Sequence, residues 1–485
     1  MSDLPSSPSL CIARVTIEAA APLSIGSGDG GGVFDIAIAR DANGLPIING
    51  ASLQGVLRSL MERTDMGESE RLFGTMQDQT TTPAKIIVSA AMVHAANDCA
   101  VGGLILDGSD LTDPLLPKLR DDDPVMRDHV RINGMGAADG SGKFDRAAVP
   151  RGTRFSFELS MWCSSAEDVA AFESVLVLVH HPLFRLGGAT RRGYGRIKVL
   201  AVAMANFATP AQQADNIRKL RATPLSCHRD LQPFEKPDEN WVDVIDILIN
   251  LTPRGYWRAG GDGTAVRTGC TQGISLANGH REVDAAFTRE SWIDWASGKG
   301  VWHEPGSSEA RDYVLAGSSI RGALAHRALF HWNKIGGHFI DADSPDAAEQ
   351  LEEFTRRRDG LEAFLGIEKT DKMGTRSALI VDDHVFKPVN IHLADHNSID
   401  RFTGGVRDGV LFSEELVDSG NITVRLIIDN RANLDASARQ ALCAAAKDLC
   451  EARLSLGAKS EGWFELTNKN DWSRIETLLK QEHSA

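Results

Sequence analysis

Apolar and polar positions alternate near the start of the chain: Cys11, Ala13, Val15 and Ile17 interleave with Ile12, Arg14, Thr16 and Glu18. A period of two predicts a strand buried on one face. A glycine-rich loop, Gly26 to Gly32, follows, and after Asn49-Gly50 the period changes. Leu53, Val56, Leu57, Leu60 and Met61 fall at i, i+3, i+4, i+7 and i+8. That spacing predicts a helix, with Ser52 as its N-cap. Further patterns predict strands near Ile86 to Ser89 and Arg154 to Leu159, a helix near Ala166 to His180 and a strand near Arg196 to Val202. The order β-α-β-β-α-β is that of a ferredoxin-like fold, so the expected class is α+β.

The same landmarks then recur in the same order. Gly50-Ala51-Ser52-Leu53-Gln54-Gly55 returns as Gly317-Ser318-Ser319-Ile320-Arg321-Gly322, and Leu72-Phe73-Gly74 as Phe364-Leu365-Gly366. Lys85 to Val88 returns as Ala378 to Val381, His129 to Ile132 as His396 to Ile399, and Gly187 to Thr190 as Leu456 to Lys459. The outer landmarks lie 267 to 269 residues apart and the inner ones 292 to 293, so the copies differ in where their insertions fall. A period this long makes each copy a whole domain. The expected organisation is a first domain over 1–207, a linker over 208–240 marked by Pro210, Pro224, Pro233 and Pro237, and a second domain over 241–485. The second copy opens at Val242 to Leu248, has its closing helix at Ala436 to Leu454 and ends near Leu466. A large insertion at about 264–312 has no counterpart in the first copy.

The length, 485 residues, accommodates two or three cores, and 45 glycines point to many turns. No secretory signal is visible at the N-terminus, and apolar runs such as Val175 to Val179 are too short to span a bilayer. The seven cysteines are scattered and never form Cys-x-x-Cys, which argues against a zinc ribbon or a disulfide framework and fits a reducing, cytoplasmic setting. A net charge of −14 argues against polyanion binding only if it is spread evenly. Here the acidic residues gather at Asp107 to Asp123 and Asp341 to Glu353, while Arg and Lys lie in or beside the repeated motifs.

The Gly-x-Ser turn precedes a helix in both copies. Its amides and the helix dipole suit a phosphate, with Ser52, Gln54 and Arg58 along it in the first copy and Ser318, Ser319, Arg321 and Arg327 in the second. Gly187 to Arg196 combines flexible backbone with Arg191, Arg192 and Tyr194, which suits phosphate clamping and base or ribose packing. The second copy has Ser460 and Glu461 in place of the arginine pair, so weaker phosphate contacts are expected there. His129 to Arg154, bearing Arg131, Lys143, Arg146 and Arg151, reads as a protruding basic hairpin. Its twin, His396 to Thr423, bears Arg401 and Arg407. Asp382, Asp383, His384, His392, Asp395, His396 and Asp400 have metal-ligand chemistry at short spacing, or else form a polar sheet edge.

These motifs resemble the RAMP superfamily of CRISPR-associated proteins, specifically the Cas-seven-like backbone subunits of Csm and Cmr type III effectors. The residues that carry the likeness are Pro46 to Arg58, Leu72-Phe73-Gly74, Val149 to Phe155 and Gly187 to Arg196, with Ala316 to Ala323, Ile399 to Gly405 and Leu411 to Glu414 in the second copy. Two such units in one chain resemble the fused subunits of type III-D effectors. The resemblance implies an RRM-like core, crRNA held along a palm, and a β-hairpin thumb that kinks the guide–target duplex. In cleaving members a loop aspartate cuts target RNA with a divalent metal. By position this is Asp35, the candidate catalytic residue and metal ligand, with Asp29 and Asp41 as neighbours. Mg2+ is the expected cofactor, with no organic one. The second copy has Thr268 at that place, so cutting is expected of the first domain.

The expected partners are crRNA, target RNA and other CRISPR-associated subunits: further backbone subunits, a guide-handle-binding subunit, a large and a small subunit. No membrane partner is expected. Two other readings stay open at this point, a structural crRNA-binding backbone that does not cut and a stand-alone metal-dependent hydrolase built on Asp382, His392 and His396.

Overall fold

The computed structural model describes residues 8–26, 37–77, 80–106, 108, 112–122, 124–132, 138–236, 241–260, 273–276, 279–282, 285–305, 312–341, 343–356, 360–366, 376–387, 390–418, 420–430, 434–457 and 462–481. The first half is built from β1 (Ser9–Ala19), α1 (Gly50–Thr64), α2 (Ser69–Phe73), β2 (Ile86–Val88), the hairpin β3 (Val125–Ile132) and β4 (Ala138–Ala148), then β5 (Arg154–Cys163), α3 (Ala166–Leu178), β6 (Arg192–Gly193) and β7 (Ile197–Phe207). After α4 (Pro210–Arg221) the second half repeats the plan. It runs β8 (Val244–Pro253), a hairpin β9 (Trp292–Asp294) and β10 (Val301–His303), α5 (Gly317–Ile335), α6 (Glu362–Leu365), β11 (Leu379–Asp382), the hairpin β12 (Ile391–His396) and β13 (Phe412–Val417), β14 (Ile422–Asp429), α7 (Ala436–Cys450), β15 (Glu451–Leu456), β16 (Gly462–Leu466) and α8 (Trp472–Lys480).

Each half is an antiparallel ferredoxin-like sheet. Strand order is β7-β1-β5-β2 in the first and β16-β8-β14-β11 in the second, both backed by two helices. The fold is therefore α+β with tandem ferredoxin-like units, as the periodicity predicts. Local signals set the helix ends. Ser165 caps α3 by accepting from the Asp168 amide, and Glu167 and Asp168 place negative charge at its first turn. Asp435 caps α7 in the same way. That helix stops at Cys450 rather than Leu454, because Glu451 to Leu456 pair with β16 as an edge strand.

The duplication is legible in backbone detail. The short helices α2 and α6 both end on a glycine in the same conformation, Gly74 at φ 77° and Gly366 at φ 73°. Gly187 (φ 80°) and Gly457 (φ 94°) both lie where a Cβ would collide with a carbonyl just beyond the first strand, Ser24 at 2.5 Å and Arg258 at 2.2 Å. Glycine accepts both the dihedral and the contact. This matches Gly457 with Gly187, one residue away from the alignment expected of the sequence.

Tertiary packing also engages the segments between and within the copies. Ile12, Arg14 and Thr16 face away from the helices and are nevertheless buried. The stretch expected to be a linker folds over them. Leu220 and Leu231 join Leu10, Ile12, Ala203 and Phe207 in an apolar cluster. Arg14 donates to the carbonyls of Leu220 (2.7 Å), Pro224 (2.9 Å) and Cys227 (2.9 Å), pinning that segment to the sheet. The insertion of the second copy is also engaged. Hairpin β9–β10 docks on the first half, where Ile293 N donates to Arg151 O and Trp295 Nε1 to Gly152 O, and Ile293 joins the first core.

Candidate nucleic-acid interface

The two helix-initiating turns share one construction. Gly50 starts α1 against the end of β2, where a Cβ would stand 2.2 Å from Val88 O, and Gly317 starts α5 against β11, 2.4 Å from Val381 O. Neither helix has a side-chain cap, and the capping residues are Asn49 and Ala316, so Ser52 is not an N-cap. It lies exposed in the first turn of α1, beside partly exposed Gln54 and Arg58, and Arg58 pairs with Glu62 at 2.9 Å. That turn is open.

The turn of α5 is filled from within. Gly317 N donates to Asp383 at 2.7 Å, so a carboxylate of the protein already holds the place expected of a phosphate. Ser319 stays exposed and Ser318 is half-buried. Arg321 donates to Leu365 O and Arg327 to Asp448, both at 2.5 Å, tying α5 to its own domain.

Between the palms lies β6. This short strand of the first half pairs in parallel with β11 of the second, Arg192 opposite Val381 and Gly193 opposite Asp382. Around it the halves are laced by ion pairs: Arg63 with Asp243 and Asp429, Arg185 with Asp382 (2.6 Å), and Arg127 with Asp383 (2.7 Å) and Glu290. Arg191 and Arg192 do not form one clamp. Arg191 neighbours Arg376, Arg185 and Arg63, and burial and these cations lower its pKa to about 9 despite Asp429. Arg192 is exposed on another side, near Arg146 and His129.

At the thumb base, Tyr194 is fully buried beneath Arg127 and Arg146 and bonds His129 Nε2 at 3.0 Å. It is a core residue rather than a packing surface for a base. Burial, with Arg127, Arg146 and Arg192 nearby, lowers the His129 pKa to about 4, so the imidazole is neutral at physiological pH.

The hairpins β3–β4 and β12–β13 occupy equivalent places in the two halves. Arg131 and Lys143 are exposed on the first, and Lys143 lies 3.4 Å from Asp128. Arg151 beyond it is engaged, stacked on Trp292 and 2.8 Å from Asp312. Arg401 and Arg407 stand exposed in the tip between β12 and β13, with Phe402 almost wholly in solvent. Between the palms a cleft of about 580 Å³ is lined by Arg196, Lys198, His384, Arg425, Trp292 and Trp295, among others.

Asp35 and its neighbour Asp29 lie outside the described residues. Asp41 accepts from the amides of Asn43 (2.8 Å) and Leu45 (2.9 Å), so its carboxylate closes its own turn. Among the described residues no group of three His, Cys, Asp or Glu could hold a metal ion. The Asp382 to Asp400 cluster is dispersed: Asp382 bonds Arg185, Asp383 bonds Arg127 and Gly317 N, His392 pairs with Asp418 and His396 with Glu414. A hydrolase centred on Asp382, His392 and His396 therefore has no assembled site. Sequence reasoning missed Arg63, Arg127, Arg185 and Arg376. They are scattered along the chain, and only the meeting of the two halves brings them together.

A family model for the RAMP superfamily matches residues 16–198 and 305–465, one region in each half. The chain belongs to the RAMP superfamily, as a tandem of two such units. That membership places it among CRISPR-associated RNA-binding subunits, a superfamily that includes some ribonucleases. No curated protein matches the chain. No helix of the described residues is long and apolar enough to cross a membrane.

Proposed function

We propose that the protein is a backbone subunit of a type III CRISPR effector ribonucleoprotein, holding crRNA along both palms beside further backbone, guide-handle, large and small subunits. The observation that carries this reading is the family match in both halves, on palms joined by a strand whose Arg191 and Arg192 serve different sides. The exposed Ser52 in the first turn of α1 and the exposed Arg192, Arg401 and Arg407 supply a hydroxyl and cations for a polyanion. Because α5 has its own carboxylate at the equivalent turn, the second palm binds through its thumb and the seam rather than through its helix start. Recovery of the assembly from cells followed by small-RNA sequencing tests this. Guide-repeat RNA is expected, and an assembly free of RNA refutes the reading.

Cleavage of complementary target RNA at Asp35, aided by Mg2+, is the second part of the proposal. A bound Mg2+ would supply charge stabilisation at the scissile phosphate. Asp35→Ala is expected to remove cleavage while leaving guide-loaded assembly intact. Unchanged product bands would make the subunit a scaffold alone.

A further inference from the structure

The face of the first sheet turned away from its helices is closed over β1, where buried Arg14 donates to carbonyls of the segment after α4. The matching face of the second sheet is covered over only part of its area. Ile427 of β14 and Ile380 of β11, paired across the strands, join the core of the first half. Further along, Leu248 of β8 pairs with Arg425 of β14, and there Leu248 is 57% exposed. Leu248 and Arg425 line the cleft of about 580 Å³ between the palms. Arg196 and Lys198, at the start of β7, line it from the first half, and Trp292 and Trp295 of the β9–β10 hairpin line it from the second.

Cations in this cleft outnumber the carboxylates that answer them. Asp382 alone serves Arg185 (2.6 Å), Arg425 (3.3 Å) and Arg196 (3.5 Å), and Arg425 has Asp246 as well. Arg196 is left with the longest of these contacts and the Ala20 carbonyl at 3.2 Å, and its Nε is buried without a partner. Lys198 is exposed and, among the described residues, has no hydrogen-bond or ion-pair partner. The carboxylates that line the cleft are committed elsewhere: Glu18 to Arg154, Asp294 to the Ala296 amide, Asp383 to Arg127 and the Gly317 amide.

An under-satisfied guanidinium beside a free ammonium favours an oxyanion such as phosphate. Apolar and flat surfaces adjoin these cations. Leu248 offers its side chain, and Arg151 stacked on Trp292 (4.7 Å) and Arg154 on Trp295 (4.1 Å) form stiff walls. A nucleotide answers both features, since its phosphate meets the cations and its base or ribose packs on the rest. An inorganic anion would leave Leu248 unused. The cleft volume, about 580 Å³, falls in the range of single small-ligand sites, about 300–1,000 Å³.

We propose that this cleft holds one nucleotide of a single-stranded RNA, its phosphate at Arg196 and Lys198 of the first half and its base or ribose against Leu248 of the second. The site rests on the RNA-binding reading above and extends it to the open face of the second sheet, a face that the protein's own chain closes over β1 in the first half.

The test uses the full chain with Lys198→Gln and Leu248→Thr, and a fluorescent single-stranded RNA of about thirty nucleotides titrated over a range of salt. Both side chains are exposed, so both variants are expected to melt within about 2 °C of the parent. Lys198→Gln should bind RNA roughly three- to tenfold more weakly at about 0.15 M salt, with a log–log salt slope shallower by about 0.7, the value for one phosphate on a single strand. Leu248→Thr should weaken binding by a similar factor and leave the slope unchanged, because it removes packing and no charge. RNA carrying 4-thiouridine should crosslink to the peptide bearing Leu248 or to that bearing Trp292 and Trp295, read by mass spectrometry. RNA binding in the parent with neither variant altered and no crosslink in those peptides would overturn the site while leaving the broader reading intact. Polyglutamate binding that Lys198→Gln weakens, with RNA binding unchanged, would overturn it in favour of an acidic protein segment. Stabilisation of the parent by about 10 mM uridine or adenosine monophosphate, lost in Lys198→Gln while RNA affinity stays intact, would overturn the strand contact and assign the cleft to a free nucleotide. If the parent protein binds no RNA at all, the broader RNA-binding reading fails first, and this inference with it.

Discussion

The two glycines of each Gly-x-Ser turn should respond oppositely to alanine. At Gly50 a Cβ would stand 2.2 Å from Val88 O and 3.0 Å from Ser89 O, and at Gly317 it would stand 2.4 Å from Val381 O. Neither acceptor yields easily, since β2 is paired to β5 and β11 to β14. At Gly55 and Gly322, inside α1 and α5, a Cβ meets nothing within 4 Å. Gly55→Ala and Gly322→Ala should therefore gain only helix propensity, about 0.8–1 kcal/mol each. For a domain of this size that is a rise of roughly 2–4 °C in melting temperature. Gly50→Ala and Gly317→Ala force an overpacked contact costing about 1–3 kcal/mol, a fall of at least the same few degrees. Circular-dichroism melts of the four single variants separate the pairs. If Gly50→Ala melts with the parent, or Gly55→Ala melts below it, the steric account of the turn is wrong.

Two further outcomes follow from the site. The folded pKa of His129, about 4, lies below its ordinary value near 6.5, so the unfolded chain binds the extra proton between those pH values. Its contribution to stability is complete above pH 6.5 and is lost as pH falls towards about 4; His129→Gln should flatten that part of a urea-midpoint profile, and an unchanged slope would refute the assignment. Charge reversal at Arg401 and Arg407 should weaken RNA binding with melting unchanged, because both are exposed, whereas Arg327→Met should lower stability by about 1–3 kcal/mol and spare RNA affinity, because it strips a partner from Asp448; anisotropy and melting on the same samples would expose a reversal of these roles.

Much of the fold is legible before any coordinates. Alternation in Cys11 to Glu18, the apolar stripe of Leu53 to Met61 and the recurring glycine landmarks are local properties, and local sterics turn them into strand, helix and turn. The candidate site is less so. A basic residue looks the same in a sequence whether it reaches solvent or a buried carboxylate. Arg192, Arg401 and Arg407 are exposed, while Arg151, Arg321 and Arg327 are engaged within the protein.

The sequence alone determined that one ferredoxin-like plan is used twice, because strand and helix periods and the dihedral needs of glycine are written residue by residue. Only the tertiary structure decided where charge is left over. Asp383 reaches Gly317 N, Arg63 spans from α1 to Asp429, and Arg185 meets Asp382 through contacts between segments far apart in the chain. Ion pairing depends on distance and burial in the assembled molecule, and neither quantity is carried by residue order.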